Sequence, residues 1–381
     1  MNKRILAQLL ISLAVPAAWQ SVAQDAPPAD QLTAPPAKSP DRFNLSLRLG
    51  FNITADFKNV GNIAPQGHLV PIPGQGSVPQ PASPGGDSIG NRTYEDGYVW
   101  VDNSGNALGY SRYWGYDNAS QHNDPNGTIT MHSASSPGTH SNDREGDPQL
   151  GFEFSYNHNF SKNEKWNWGL EAAFNFMNLT INDSHPLTGS GTLISDAFQL
   201  PPEFGGEGFV IPPPAPYSHG PFLTPGTGNP VIGATPTRLP SVAFPTSITG
   251  SRNFDANVFG WRLGPYAELP LGKRVSIALS GGLALAAITS DFSYKETVTY
   301  NQNIGTGVST QTTAGSGSEA GVQVGGFVSG TCTVALSEKW DLFAGAQFQS
   351  MGHYTHRIGN REARLDLSES VFVSVGLSFS F

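Results

Sequence analysis

The sequence predicts an all-β chain: an antiparallel, up-and-down transmembrane β-barrel of eight strands, or ten as the alternative, carrying long extracellular loops. Three observations lead there. Apolar residues recur at every second position through several long segments, the period of a strand with one greasy face. Short polar turns and very long connections alternate along the chain. Turn formers are abundant, with Gly 44 and Pro 30 among 381 residues, a load that suits strands joined by irregular loops better than a helical or α/β domain. Mean hydropathy is slightly negative and only 13% of residues are charged; neither excludes a membrane, because alternating strands dilute hydrophobicity.

Taken in order, residues 1–23 read as a signal peptide. Lys3 and Arg4 form a basic start, 5–19 are largely apolar, and Ser21, Val22 and Ala23 supply a cleavage site. The apolar stretch is shorter than the ~20 residues a spanning helix needs. Residues 24–42, rich in proline and poor in large apolar side chains, read as a flexible periplasmic leader, and 43–381 as the barrel. The first strand, 43–57, alternates from Phe43 to Phe57 without interruption. Residues 58–147 break the pattern for longer than a loop normally runs in a compact domain, which predicts a functional or disordered insertion. Strands at 148–160 and 166–181 flank a short turn. Residues 182–253 hold thirteen of the thirty prolines, a density read as ending any regular ladder. Strands follow at 256–270, 275–295, 319–337, 340–357 and 364–381.

Parity assigns the faces. Odd positions of the first and last strands are apolar and point outward to lipid, so the opposite set points into the lumen. That set includes Arg48, Glu153, Glu171, Arg262 and Glu268, charges of both signs that would be costly in lipid and that read as a lumen charge network. Phe43, Phe160, Trp166, Trp168 and Trp340 fall outward near the short turns and read as an aromatic girdle at one membrane interface. Cys332 is the single cysteine, reads as a small lipid-facing residue, and excludes an internal disulfide.

This organisation resembles the small eight-stranded outer-membrane barrels, the OmpA transmembrane domain and OmpX among them. The resemblance covers the strands and not the two large loops. It implies the Gram-negative outer membrane as location, with membrane lipid and the barrel assembly machinery as partners. The final strand, with Val373, Val375, Leu377, Phe379 and Phe381 on one face, resembles the terminal strand of such barrels, which implies an assembly signal there.

No phosphate loop, zinc cluster or cofactor motif is present in the sequence, and the net charge of −9 argues against nucleic acid. His353 and Thr355, with Glu369 on the next strand, loosely resemble the His-x-Ser pair of lipid A deacylases, but the hydroxyl is a threonine and Glu369 has the opposite parity. The chain is therefore read as no enzyme. A structural or surface-binding role through the loops is expected, ahead of a narrow porin-like channel for small solutes or ions, and of a lipid A hydrolase. Residues 93–116 hold Tyr94, Tyr98, Trp100, Tyr110, Tyr113, Trp114 and Tyr116 around Asp102-Asn-Ser-Gly105, a hairpin turn signal. They read either as a packed hairpin or as an aromatic platform for an extracellular ligand. Residues 58–147 carry nine acidic and four basic side chains, and 182–253 four and two, so the loops hold most of the negative charge. Such a cap suits a neutral glycan, a protein or cations, and a monomer is expected.

Overall fold

The computed structural model describes residues 41–145, 148–160, 166–203, 208–221, 230–301 and 308–381; the expected signal peptide, almost all of the leader and the turn at 161–165 lie outside them. Strands longer than two residues are β1 (Asp41–Phe51), β2 (Thr54–Val60), β3 (His68–Ile72), β4 (Gly76–Gln80), β5 (Gly97–Trp100), β6 (Tyr113–Tyr116), β7 (Thr128–Ser135), β8 (Thr139–Glu145) and β9 (Gln149–Asn159). The second half of the chain adds β10 (Asn167–Asp183), β11 (Leu187–Gln199), β12 (Val242–Pro270), β13 (Val275–Asn301), β14 (Val308–Ala335), β15 (Trp340–Ser350), β16 (His353–Ile358), β17 (Arg361–Asp366) and β18 (Ser370–Ser380). The described residues are all-β apart from three single turns of 3-10 helix, and no helix among them is long and apolar enough to cross a membrane.

Antiparallel pairing runs β10-β9-β1-β18-β15-β14-β13-β12, and β10 also pairs with β12 along its whole length. Each of these eight strands is thus paired on both sides within the set. Three of them are far longer than the sequence suggested: β12 extends back to Val242, β13 runs to Asn301 and β14 starts at Val308. The proline-rich stretch therefore does carry a ladder. Pro245 is tolerated because the pairing with β13 ends at Thr246, leaving only β11 beside it.

Three expected strands are each broken in two. Asn52 adopts a left-handed backbone (φ 57°), which asparagine tolerates better than most residues, and the face presented by odd positions reverses there. Leu45 and Leu47 are 61% and 65% exposed, while Ile53 and Phe57 are 4% and 1%. The second break is at Gly352 (φ +73°), between β15 and β16. A third, at 367–369, separates β17 from β18. The severed pieces join β8 of the 58–147 insertion in a second sheet, β8-β2-β17-β16. Its apolar side, with Phe57, Tyr354, Ala363 and Leu365, packs into one core with the inward residues of the extended β10, β12 and β13.

The 58–147 insertion is likewise built of strands. Its aromatic segment forms the expected hairpin, β5 against β6 with Trp100 opposite Tyr113, in a sheet separate from the eight strands.

Candidate functional site

The interior of the eight-strand set has two chemically distinct sections. In the first, Arg48 reaches Glu153 (2.6 Å), and Arg262 reaches both Glu153 (2.6 Å) and Glu171 (3.2 Å). Four of the five expected lumen charges thus meet, with Glu153 shared between two guanidiniums. Glu268 stands apart and takes a bidentate bond from Arg42 (2.7 and 3.2 Å) and one from Ser276 (2.5 Å). Arg42 was assigned to the leader, but it has the same parity as Arg48, which is the signal that could have found it. Around these groups lies a polar cavity of ≈ 60 Å³, lined by Thr331 and Ser378 among others, large and polar enough to hold water.

Two phenylalanine rings close that section. Arg48 lies over Phe372 (3.6 Å from the ring centre) and Arg262 over Phe327 (4.5 Å). Beyond them the interior becomes apolar: Met177, Val258 and Ile288 are opposite one another across β10, β12 and β13, followed by Leu179, Ala256, Phe254 and Phe292.

The outer surface changes at the same register in the opposite sense. Phe176, Phe259, Ala287 and Val322 are mutual partners and end an apolar series; the next outward row is Asn178, Asn257, Thr289 and Ala320, and the one after is Thr180, Asp255, Asp291 and Ser318. Polar-in and apolar-out becomes apolar-in and polar-out within one pair of residues. On β13 the apolar outer series spans 275–287. At ~3.3 Å per residue and a tilt of about 40°, that is a band roughly 30 Å high, the thickness of a bilayer's hydrocarbon core.

Phe43, Phe160, Trp166, Trp168 and Trp340 lie on the outside, at the end of the band farthest from the apolar section. Phe43 stacks on Phe381 (5.3 Å), Phe160 packs on Trp168 (5.2 Å) and Trp340 on Phe379 (5.0 Å). Val373, Val375 and Leu377 continue that outer row along β18, and Cys332 is exposed on the same surface.

Other expectations are corrected. Tyr94, Tyr98, Tyr113, Trp114 and Tyr116 are all buried. Trp114 and Tyr116 sit in a core with Ile129, Met131 and Phe198, so these rings pack the head, the part of the fold beyond the polarity reversal, and are not an open platform; Trp100 and Tyr110 are half-buried. Beyond Gly352 the inward pair is Tyr354 and His356, not His353 and Thr355. His353 lies at the surface beside Asp366 (3.2 Å). His356 belongs to the same His353–Arg357 cluster of the sequence, but sequence reasoning did not find its partner: its Nδ1 lies 2.7 Å from Ser290 Oγ, which also meets the Tyr354 hydroxyl (2.8 Å); this group is shut inside the core. Sequence reasoning also missed a fully buried ion cluster: Arg252 bonds Asp183 (2.9 Å) and lies 3.8 Å from Glu296, which bonds Arg361 (3.0 Å). Both Arg252 and Glu296 have inward parity, but the proline density of 182–253 hid the first.

No protein-family model and no curated protein matches the chain. The solved structures similar to it include Ail, the attachment invasion locus protein of Yersinia pestis, at 7% identity, covering 89% of this chain and 98% of that one with a TM-score of 0.24. The outer membrane protease OmpT of Escherichia coli is similar at 8% identity, 92% and 99% coverage and a TM-score of 0.29. The toluene transporter TodX of P. putida follows at 8% identity, 90% of each chain and a TM-score of 0.19. With TM-scores this low, the architecture rests on the strand pairings themselves.

Proposed function

We propose that the protein is an eight-stranded barrel of the Gram-negative outer membrane, closed by the β10–β12 ladder, whose role is to hold an extracellular β head at the cell surface for a structural or binding purpose. The supporting observation is the reversal of inside and outside polarity at one register. A strand that is apolar outside and charged inside suits lipid, where every backbone amide must be paired; the same strand apolar inside and polar outside suits water.

The reversal also weighs against the narrow channel. A conducting path needs a hydrated route, and the charged section leads into the packed rows of Met177, Val258, Ile288 and Phe292. A non-enzymatic role fits the histidines described: His353 pairs with Asp366 at the surface, and His356 and Ser290 are buried together in the core. The acidic head favours a neutral glycan, a protein or cations as ligand over phosphate-rich molecules.

Planar-bilayer recording tests the proposal. The purified protein should migrate faster unboiled than boiled on gels and give no steady single-channel current. Steady currents that change in Arg262→Ala would replace this reading with the channel, and recovery in the soluble periplasmic fraction would remove it.

A further inference from the structure

Among the described residues, the β3–β4 hairpin is a two-stranded sheet of its own. It is held on the head through Val70, Pro71 and His68 among others. Val70 is buried against Tyr98 and Tyr113, with Trp100 beside them. The Tyr113 hydroxyl donates to the Pro71 carbonyl (2.6 Å). His68, whose ring packs at 5.7 Å from that of Tyr98, places Nε2 2.9 Å from Asp117 Oδ1 and Nδ1 2.7 Å from the Leu69 carbonyl.

Those last two partners are both acceptors. A carbonyl oxygen and a carboxylate have no proton to give, and a neutral imidazole carries only one N–H. Both bonds therefore exist together only when the ring is an imidazolium. We propose that the hairpin is a lid over the aromatic face of Tyr98, Trp100 and Tyr113, locked by the doubly protonated His68 and loosened when that ring loses its proton, because the neutral ring gives up either the bond to Leu69 or the bond to Asp117 and in both cases loses the ionic part of its contact with Asp117.

The surroundings support the direction. Burial, the largest influence on His68, pushes it down, but the hydrogen bond and charge of Asp117, helped by the Leu69 carbonyl and the Asp96 charge, outweigh it and leave it raised. A raised folded-state value means that the stabilisation is complete below histidine's ordinary value, about 6.5, and disappears as pH rises through the folded value. The other titratable groups facing this site are Asp117, Asp96 with its partner His132 (2.6 Å), Glu95, which accepts from the Gln66 amide (3.2 Å), His219, whose carbonyl accepts from Tyr98 (3.0 Å), and the two tyrosines. Burial raises both Tyr98 and Tyr113, the latter to about 12, so the bond to Pro71 does not titrate near neutrality. Histidines are left as the groups whose ordinary range falls between pH 5 and 8.

Hydrogen exchange over 68–80, corrected for intrinsic rates, and hydroxyl-radical footprinting of Tyr98 and Tyr113 test this on the full chain in lipid. Between pH 5 and 9 the parent should lose about tenfold in protection for each pKa unit by which the folded His68 is raised, and both tyrosines should gain reactivity. His68→Gln should show the weaker protection at both pH values, whereas His132→Gln and His219→Gln should keep the parent's dependence. Should His68→Gln not fold, Asp117→Asn supplies the same test by moving the midpoint to lower pH. Equal protection of the parent at both pH values, an unchanged dependence in His68→Gln, or an unmoved midpoint in Asp117→Asn would overturn the lid.

Discussion

Replacing Arg252 with alanine should cost about 3–5 kcal/mol of stability, the loss expected when one partner of a buried ion pair is removed and the other is stranded. Arg252, Asp183 and Glu296 are each at most 1% exposed at the side chain, and Arg361 3%. Asp183 would keep the Ser141 hydroxyl (2.6 Å), the His185 amide (3.1 Å) and the His185 ring (2.9 Å) but lose the Arg252 guanidinium. Two controls define the effect. Lys58→Ala breaks a pair whose lysine is 35% exposed, and should change stability by no more than ~1 kcal/mol. The double replacement Arg252→Met with Asp183→Leu should recover much of the loss, because apolar substitutes for a whole buried pair are often tolerated. Urea unfolding in lipid vesicles, followed by tryptophan emission, measures all three; an Arg252→Ala midpoint equal to the parent's would show that the cluster contributes nothing to stability.

A comparable loss is expected on the opposite surface. Leu283 is 69% exposed on the outer apolar series of β13. Arginine there should destabilise the inserted protein by about 2–4 kcal/mol if the position lies near the bilayer midplane. Thr299, on the same outward face but past the reversal, should accept arginine within about 0.5 kcal/mol, as surface positions in water do. If both substitutions cost the same, the polarity reversal does not mark the edge of the membrane.

The outward rows were legible in the sequence because a wall with unlike faces forces a period of two. Phe43, Leu45 and Leu47, or Leu279, Leu283 and Leu285, leave few other arrangements. Arg48, Glu153 and Arg262 were legible for the same reason, as charges set against that period. The breaks were not. Ile53, Ala55 and Phe57 continue the odd-numbered apolar series of β1, so the alternation looks unbroken although the left-handed Asn52 has turned its face from outside to inside. His353 was misplaced by the same effect at Gly352. The aromatic residues of 93–116 were recognised as a hairpin, but composition does not say which rings are covered; Trp114 and Tyr116 are buried by Ile129, Met131 and Phe198, residues far enough along the chain that no local pattern links them. The interior of the head was harder still, because the threonines, serines and glycines on the far halves of β13 and β14 carry too little hydrophobic contrast to mark a strand.

The continuity of β12, β13 and β14 across the reversal has a mechanical meaning. No hinge lies between the buried and the projecting halves of these strands, so a tether attached to the head would pull along their length. The ladder from Val275 opposite Val334 to Asn301 opposite Val308 would then carry the load along both strands at once, with no bond at its end levered open first as in a peeled hairpin. If the head faces the medium as proposed, it would sit at a fixed height and azimuth above the cell, and tension on it would be delivered to the bilayer with little slack.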